Sequence, residues 1–270
     1  MLSSGEAGMI EIDQDVVWHR IKKEVCDLQA RELSMAVFLQ NSVVGHDCFI
    51  DALAQVIIDE LSDSTLFGND LVDIISQPLL TDSTIGCSAC ADLLAHYTRD
   101  AACDKYYIPL LFFKGFQALQ LYRIAHHYWT LDQRQLALLL QNSMVEVFDV
   151  DIHPAAAIGW GIMMDHATGI VIGETAVVGN NVSMLHGVTL GGSGRGSQKR
   201  HPSVGDGVMI STGAKLIGDI TIGEHSKIGA GSLVLNSVPA HVTAVGVPAY
   251  VVGTPVEDIP AFDMNQHFTS

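Results

Sequence analysis

The sequence predicts an α+β protein in several parts: an all-α N-terminal half, a C-terminal parallel β-helix with one extended loop, and a short tail. Three observations predict it. Apolar residues recur at helical spacing up to about residue 145, and from Asp151 onward aliphatic residues recur every six positions. Between residues 151 and 249, Trp160 is the one Phe, Tyr or Trp. The implied division is 1–145 helical, 146–253 β-helix with its loop at 191–203, and 254–270 tail.

In the first half, Val17, Ile21, Val25 and Leu28 follow i, i+4, i+8, i+11. Phe49, Leu53, Val56, Ile57, Glu60 and Leu61 carry the same stripe, with Asp47 expected as N-cap. Further helices are expected near 67–76, 88–98, 109–129 and 132–145, with breaks at Pro78, across Thr81 to Gly86, and at Leu131-Asp132. Each stripe reads as core or oligomer contact before it reads as a ligand site.

In the second half, Ile158, Met164 and Ile170 are six apart. After a shift of two, Ile172, Val178, Met184 and Leu190 repeat the spacing, and Val204, Ile210, Leu216, Ile222, Ile228 and Val234 keep it without a break. An α-helix cannot align every sixth residue, because six steps end about 120° off register. A single long strand would not follow so many aliphatic positions with glycine. A solenoid with one short strand per hexapeptide and three strands per coil satisfies both constraints, and its narrow interior explains the missing rings. Its open ends and flat faces call for caps or self-association.

The repeat is interrupted by "GGSGRGSQKRHPS". Every Lys and Arg after position 150 (Arg195, Lys199, Arg200, Lys215, Lys227) lies in 195–227. A loop thrown out of a rigid solenoid is where binding residues gather. Positive charge there suits an anionic ligand, either coenzyme A with its phosphates or a substrate carboxylate.

A formal charge of −16 and a pI near 4.9 argue against nucleic acid or an anionic membrane as partner. With no signal-peptide pattern and no bilayer-length apolar run, a cytoplasmic enzyme is the expectation. The five cysteines, all before residue 104, read as reduced thiols, Cys87 and Cys90 included.

Histidine is the natural base near neutral pH. Asp151 precedes His166 by 15 residues, close to one coil, which sets a carboxylate beside that imidazole. His186 has only Asp165 at a comparable offset. Spacing therefore favours His166 as base over His186. A metal site is disfavoured, because no histidine pair has the H-x4-H spacing of the β-helix carbonic anhydrases.

Taken together, "DIHPAAAIG", "MDHATGIVIGETA", "VTLGG", "RHPSVGDGVMI" and "GVPAYVVG" resemble the bacterial serine O-acetyltransferases. "RDAACDKYYIPLLFFKGFQALQLYRIAH" extends the resemblance into the helical half, over most of residues 90–265. The resemblance implies a left-handed β-helix and transfer of acetyl from acetyl-CoA, a co-substrate, to L-serine. By it, His166 is the general base and Asp151 its orienting carboxylate. Asp100 and Asp165 hold the amino-acid ammonium group, and Arg200 and His201 its carboxylate. Gly192, Ser193, Thr212, Ala230 and Lys215 line the coenzyme track. The family also implies L-cysteine as feedback inhibitor in the serine pocket, and a hexamer built as a dimer of trimers.

Three positions depart from the family: Ala101 follows the "RD" pair where proline is usual, Thr212 replaces a common alanine, and His186 replaces a glutamine seen in some members. The family's tail ends in isoleucine and inserts into O-acetylserine sulfhydrylase, whereas this chain reads "DMNQHFTS". Two other readings stay open: a hexapeptide acetyltransferase for a sugar or other hydroxyl, and a scaffold that has lost catalysis.

Overall fold

The computed structural model describes residues 12–62, 67–194 and 198–268; Arg195 of the interrupting loop falls outside them. The helical half runs α1 (Gln14–Arg31), α2 (Ala36–Leu39), α3 (Phe49–Leu61), α4 (Leu71–Thr81), α5 (Ser83–Arg99), α6 (Tyr107–Phe112), α7 (Lys114–Thr130) and α8 (Arg134–Phe148). Val17, Ile21, Val25 and Leu28 form the buried face of α1, and Phe49, Leu53, Val56, Ile57 and Leu61 that of α3. Glu60 is exposed.

The structure corrects four local expectations. Cys48, not Asp47, occupies the N-cap of α3; the Asp47 carbonyl instead accepts from Trp18 Nε1 at 2.8 Å. Pro78 lies inside α4 rather than ending it. Its missing N–H would leave the Ile74 carbonyl unpaired, and Tyr128 Oη of α7 donates to that carbonyl at 2.9 Å. The break across Thr81 to Gly86 shrinks to Asp82, whose carboxylate accepts from the Thr84 N–H at 3.0 Å and caps α5. The single helix expected over 109–129 is two, α6 and α7, parted at Phe113 in extended backbone.

From Val150 the chain winds through three parallel sheets. The first stacks β1 (Val150–Ile152), β4 (Ile170–Ile172), β7 (Thr189–Gly191), β10 (Lys215–Ile217) and β13 (Leu233–Val234). The second stacks β2 (Ala157–Ile158), β5 (Val177–Val178), β8 (Ser203–Val204) and β11 (Thr221–Ile222). The third stacks β3 (Met163–Asp165), β6 (Ser183–Leu185), β9 (Met209–Ile210), β12 (Lys227–Ile228) and β14 (Thr243–Gly246), and closes with antiparallel β15 (Ala249–Gly253).

The hexapeptide aliphatics fall into register columns. Ile172, Leu190, Leu216 and Val234 line one sheet, and Val178, Val204 and Ile222 the next; Met184, Ile210 and Ile228 line the third. All are buried, and Trp160 sits outside the columns at a half-buried corner. Coil length varies: Met163 pairs with Ser183, twenty residues on, whereas Ser203 pairs with Thr221, eighteen on. After β15 the short helix α9 (Pro260–Asp263) folds back, and the Ala261 carbonyl accepts from Ser183 Oγ at 2.8 Å.

A buried polar junction binds the two halves. Asp92 of α5 takes Arg123 Nη2 at 2.7 Å and Nε at 3.0 Å on Oδ2, and the Ile162 N–H at 2.8 Å on Oδ1. Arg123 Nη2 also reaches the Gly159 carbonyl at 2.8 Å, and Tyr122 Oη donates to the Ala156 carbonyl at 2.5 Å.

His96, also on α5, is buried with neither ring nitrogen hydrogen-bonded among the described residues, packed edge-on to Phe113 and Phe116. Burial, with Arg99 nearby adding to it, holds its pKa down at about 3, from an ordinary value of 6.5. The folded value lies below the unfolded one, so this contribution to stability is present above pH 6.5 and is lost as pH falls towards 3, by up to about 1.4 kcal/mol per pH unit. A His96→Leu variant is therefore expected to lose less Tm than the parent between about pH 7 and pH 5. Equal losses in the two proteins would show that His96 does not set the acid sensitivity.

Candidate active site

Two edges of the prism carry the candidate residues, and the first sheet lies between them. On the first edge the chain turns from β3 into β4 through His166 and Ala167, both in left-handed backbone at φ +57°. Two consecutive non-glycine residues in that region cost free energy that surrounding packing must offset. The ladder of this edge supplies support: Gly187 N–H bonds the Thr168 carbonyl at 2.8 Å, Gly213 N–H that of His186 at 2.9 Å, and Gly231 N–H that of Thr212 at 2.8 Å. His166, His186, Thr212 and Ala230 thus lie in file along one edge.

The helical half covers the head of this file. A cavity of about 530 Å³ opens between the α6–α7 junction and the β3 corner, and Asp100, Phe113, Lys114, Met164, Asp165 and His166 are among its walls. The approach requires Gly115, at the start of α7: a Cβ there would overlap the Met164 carbonyl oxygen and stand 2.9 Å from the Ala167 Cβ. The break at Phe113 is what lets α7 begin against this corner.

Within the cavity His166 is largely exposed, and its Nε2 lies 3.7 Å from Asp165 Oδ1. Burial raises the Asp165 carboxyl above the usual range. His166 opposes that shift, and the negative Asp100 adds to it. Two carboxylates on one wall therefore suit a bound ammonium group, which would relieve both burial and repulsion. The His186 ring meets the His166 ring edge-to-face, centroids 5.7 Å apart.

The second edge joins the first sheet to the second. Here His201 is buried between Gly173 and Gly192, and its Nδ1 accepts from the Thr175 N–H at 3.2 Å. Arg200 pairs with Glu174, which holds that carboxylate below its ordinary range. Burial first, then Arg200, lowers the His201 pKa. Gly192 and Ser193 flank this edge, and Lys215 is exposed on the sheet between the two edges.

One chain therefore brings together Asp100, Asp165 and His166, and separately Arg200, His201, Gly192 and Ser193. It does not join the two sets. Among the described residues Asp151 makes no hydrogen bond or ion pair with His166: it pairs with Val171 on the first sheet and accepts from Gln141 Nε2 at 2.6 Å. The offset that set them side by side assumed a uniform coil, and the first coil is longer. Phe113, Lys114, Gly115 and Glu174 are site neighbours that sequence reading missed. Glycine in "FKGF", one step from a break, is the one signal that marks a close approach; Glu174 had none without the register.

Comparison with known proteins identifies the family that shares this fold. A family model for the serine acetyltransferase N-terminal region matches residues 17–121, and one for the bacterial transferase hexapeptide (six repeats) matches 201–236. The serine acetyltransferase of Escherichia coli (strain K12) is 48% identical over 254 residues, 94% of this chain and 93% of its own. The chain belongs to the serine acetyltransferase family. It is a transferase that moves the acetyl group of acetyl-CoA, its co-substrate, to the hydroxyl of serine. A serine acetyltransferase solved in complex with cysteine is 46% identical and superposes with a TM-score of 0.92, over 95% of this chain and 100% of that one. Another, solved with CoA, is 45% identical with a TM-score of 0.85, over 89% and 100%.

In this transferase, Gly115→Ala would push α7 off the β3 corner. The expected cost is about 1–3 kcal/mol of stability together with a reduced kcat. Unfolding and initial-rate measurements check both, and unchanged values would show that the corner tolerates the displacement.

Proposed function

We propose that His166 is the general base of acetyl transfer to L-serine, and that the cavity between the α6–α7 junction and the β3 corner is the serine pocket. The observation that carries this reading is the left-handed His166 corner, which presents an imidazole to a cavity whose wall holds Asp100 and Asp165. Serine would bind with its ammonium group against the two carboxylates. His166 takes the hydroxyl proton as the serine oxygen attacks the thioester carbonyl carbon. The tetrahedral adduct collapses, the C–S bond breaks, and the thiolate of CoA takes a proton as it leaves.

Asp151 serves as the orienting carboxylate by exchanging Gln141 for the imidazole when substrate closes the corner. Gln141 occupies its Oδ1, and among the described residues no hydrogen bond reaches its Oδ2. L-Cysteine, isosteric with serine at every atom but one, enters the same pocket as a feedback inhibitor. The coenzyme follows the file of Thr212 and Ala230 with Lys215 beside it.

Arg200 and His201, with Gly192 and Ser193, belong to the second edge, and they complete the pocket when a neighbouring copy presents that edge to the first. A trimer of β-helices supplies this contact three times, and residues 1–145 pair two trimers into a hexamer. Residues 146–253 are the catalytic part and 254–270 a tail, in a cytoplasmic enzyme. A sugar acceptor is not favoured, since paired carboxylates at the base match an ammonium group.

Acetyl-CoA consumption with L-serine, followed by thiol release with and without L-cysteine, tests this reading. His166→Ala is expected to lower kcat by about 10²-fold or more; near-parent activity would reject the base. Asp165→Asn and Arg200→Ala, each poor alone, are expected to recover up to about a quarter of parent activity when co-assembled, because some sites then draw two intact edges from different copies. No recovery in proven mixed oligomers would place both residues in one chain's site.

A further inference from the structure

We propose that a second cavity, at the corner before β3, is a binding site for a small aliphatic carboxylate, with Arg99 meeting the charge and Trp160 and Phe262 the chain.

This cavity, of about 420 Å³, opens where α5, the corner before β3 and α9 meet; Leu94, Ala95, Arg99, Trp160, Asn181 and Phe262 are among its walls. Its volume falls within the range of small-molecule sites. The strand β3 parts it from the serine cavity: Trp160 and Gly161, before the strand, border this one, whereas Asp165 and His166, at its end, border the other. Among the described residues none borders both.

The wall carries one charge in a mostly apolar surface, that of Arg99. Its Nη1 donates to Ser183 Oγ at 3.0 Å, its Nη2 donates to Asn181 Oδ1 at 3.1 Å, and its guanidinium carbon lies 4.6 Å from the centroid of the Phe262 ring. None of these partners is an anion. No ion pair among the described residues includes Arg99, and Asp92, further back on α5, is committed to Arg123. Burial brings the Arg99 pKa down to about 10 against the pull of Asp92, so the group stays a cation at neutral pH. A partly buried cation without a counter-ion is a standing cost, and a ligand carboxylate would remove it by charge-assisted hydrogen bonds. Two of the five guanidinium N–H groups are spent on Ser183 and Asn181, which leaves donors for that carboxylate.

The rest of the wall suits an aliphatic chain. Trp160 is the only Phe, Tyr or Trp between residues 151 and 249; the solenoid interior does not use it, and its half-buried ring borders this cavity. The tail supplies the facing ring, Phe262, on a helix held by the bond from Ser183 Oγ to the Ala261 carbonyl. A chain laid between them leaves water, and each added methylene is expected to tighten binding about three- to fourfold. No carboxylate lines this cavity among the described residues, so an amino acid's ammonium group finds no partner here. That separates its ligand class from serine.

Calorimetry on the full chain with butanoate, hexanoate and hexanamide tests the proposal. Hexanoate is expected to bind about tenfold tighter than either of the others, and to keep its Kd within about twofold under saturating L-serine and CoA. Arg99→Gln is expected to erase the preference for acid over amide. Ala95→Leu, which grows into the cavity and leaves Arg99 in place, is expected to weaken both ligands by about tenfold. No heat and no Tm shift up to about 10 mM hexanoate would overturn the proposal. So would an amide as tight as the acid, or hexanoate binding unchanged in either variant. Displacement of hexanoate by L-serine would move the carboxylate to the serine pocket and overturn it equally. Tm and CoA affinity are measured for each variant. Should the glutamine variant fail to fold, Arg99→Lys decides: it keeps the charge and is expected to keep the preference for acid, and indifference between acid and amide there would reject Arg99 as the anchor.

Discussion

The buried Asp92–Arg123 pair holds the active site in place by holding the two halves of the molecule together. Asp92 is fully buried and Arg123 nearly so, and both are spent across the junction: Asp92 on the Ile162 N–H, Arg123 on the Gly159 carbonyl. These backbone groups lie immediately before β3, the strand that delivers Asp165 and His166. Removing one member of such a pair leaves an uncompensated buried charge, at a cost of about 3–5 kcal/mol. The pair does more than add stability: it fixes where the β-helix begins relative to α5 and α7, and hence the width of the cavity between them.

From that fixed start, the His166 corner follows from a conflict between chain geometry and packing. The turn out of β3 must carry the chain onto the next face in few residues, and it does so through two left-handed residues where glycine would be free of strain. Ala167 is buried beneath α7, in the space that the absent Gly115 side chain leaves. The same close approach that offsets the strain presents His166 outward. Helical half and β-helix thus each supply part of one wall, and neither part alone would form the cavity.

Much of this was legible in the sequence because solenoid periodicity is a local property. Six-residue spacing identified the inward aliphatics from Ile172 to Val234, and the loss of rings identified the narrow interior. What spacing could not supply was register. An extra two residues in the first coil move Asp151 away from the position that an eighteen-residue coil assigns it. Pro78 was misread for a similar reason: its cost is met by Tyr128, fifty residues later, and no local pattern shows that. The split at Phe113 likewise goes with the close approach of Gly115 to Met164 and Ala167, which only the tertiary structure contains.

The division of candidate residues between two edges has a chemical logic. A pocket for a zwitterionic amino acid needs negative charge at one end and positive charge at the other. Asp100 and Asp165 on one side, with Arg200 and His201 on the other, would attenuate one another if they shared a corner of a single chain. Kept on separate edges, the acidic wall is free of guanidinium and Arg200 is held by Glu174. On the proposed arrangement the opposite charges meet only when two copies associate, so the attraction between edges and the recognition of substrate draw on the same four side chains. A substrate seated between them satisfies both sets and adds to the cohesion of the interface. An inhibitor of the same shape would do so equally, which gives binding at this pocket a direct route to the assembly of the whole enzyme.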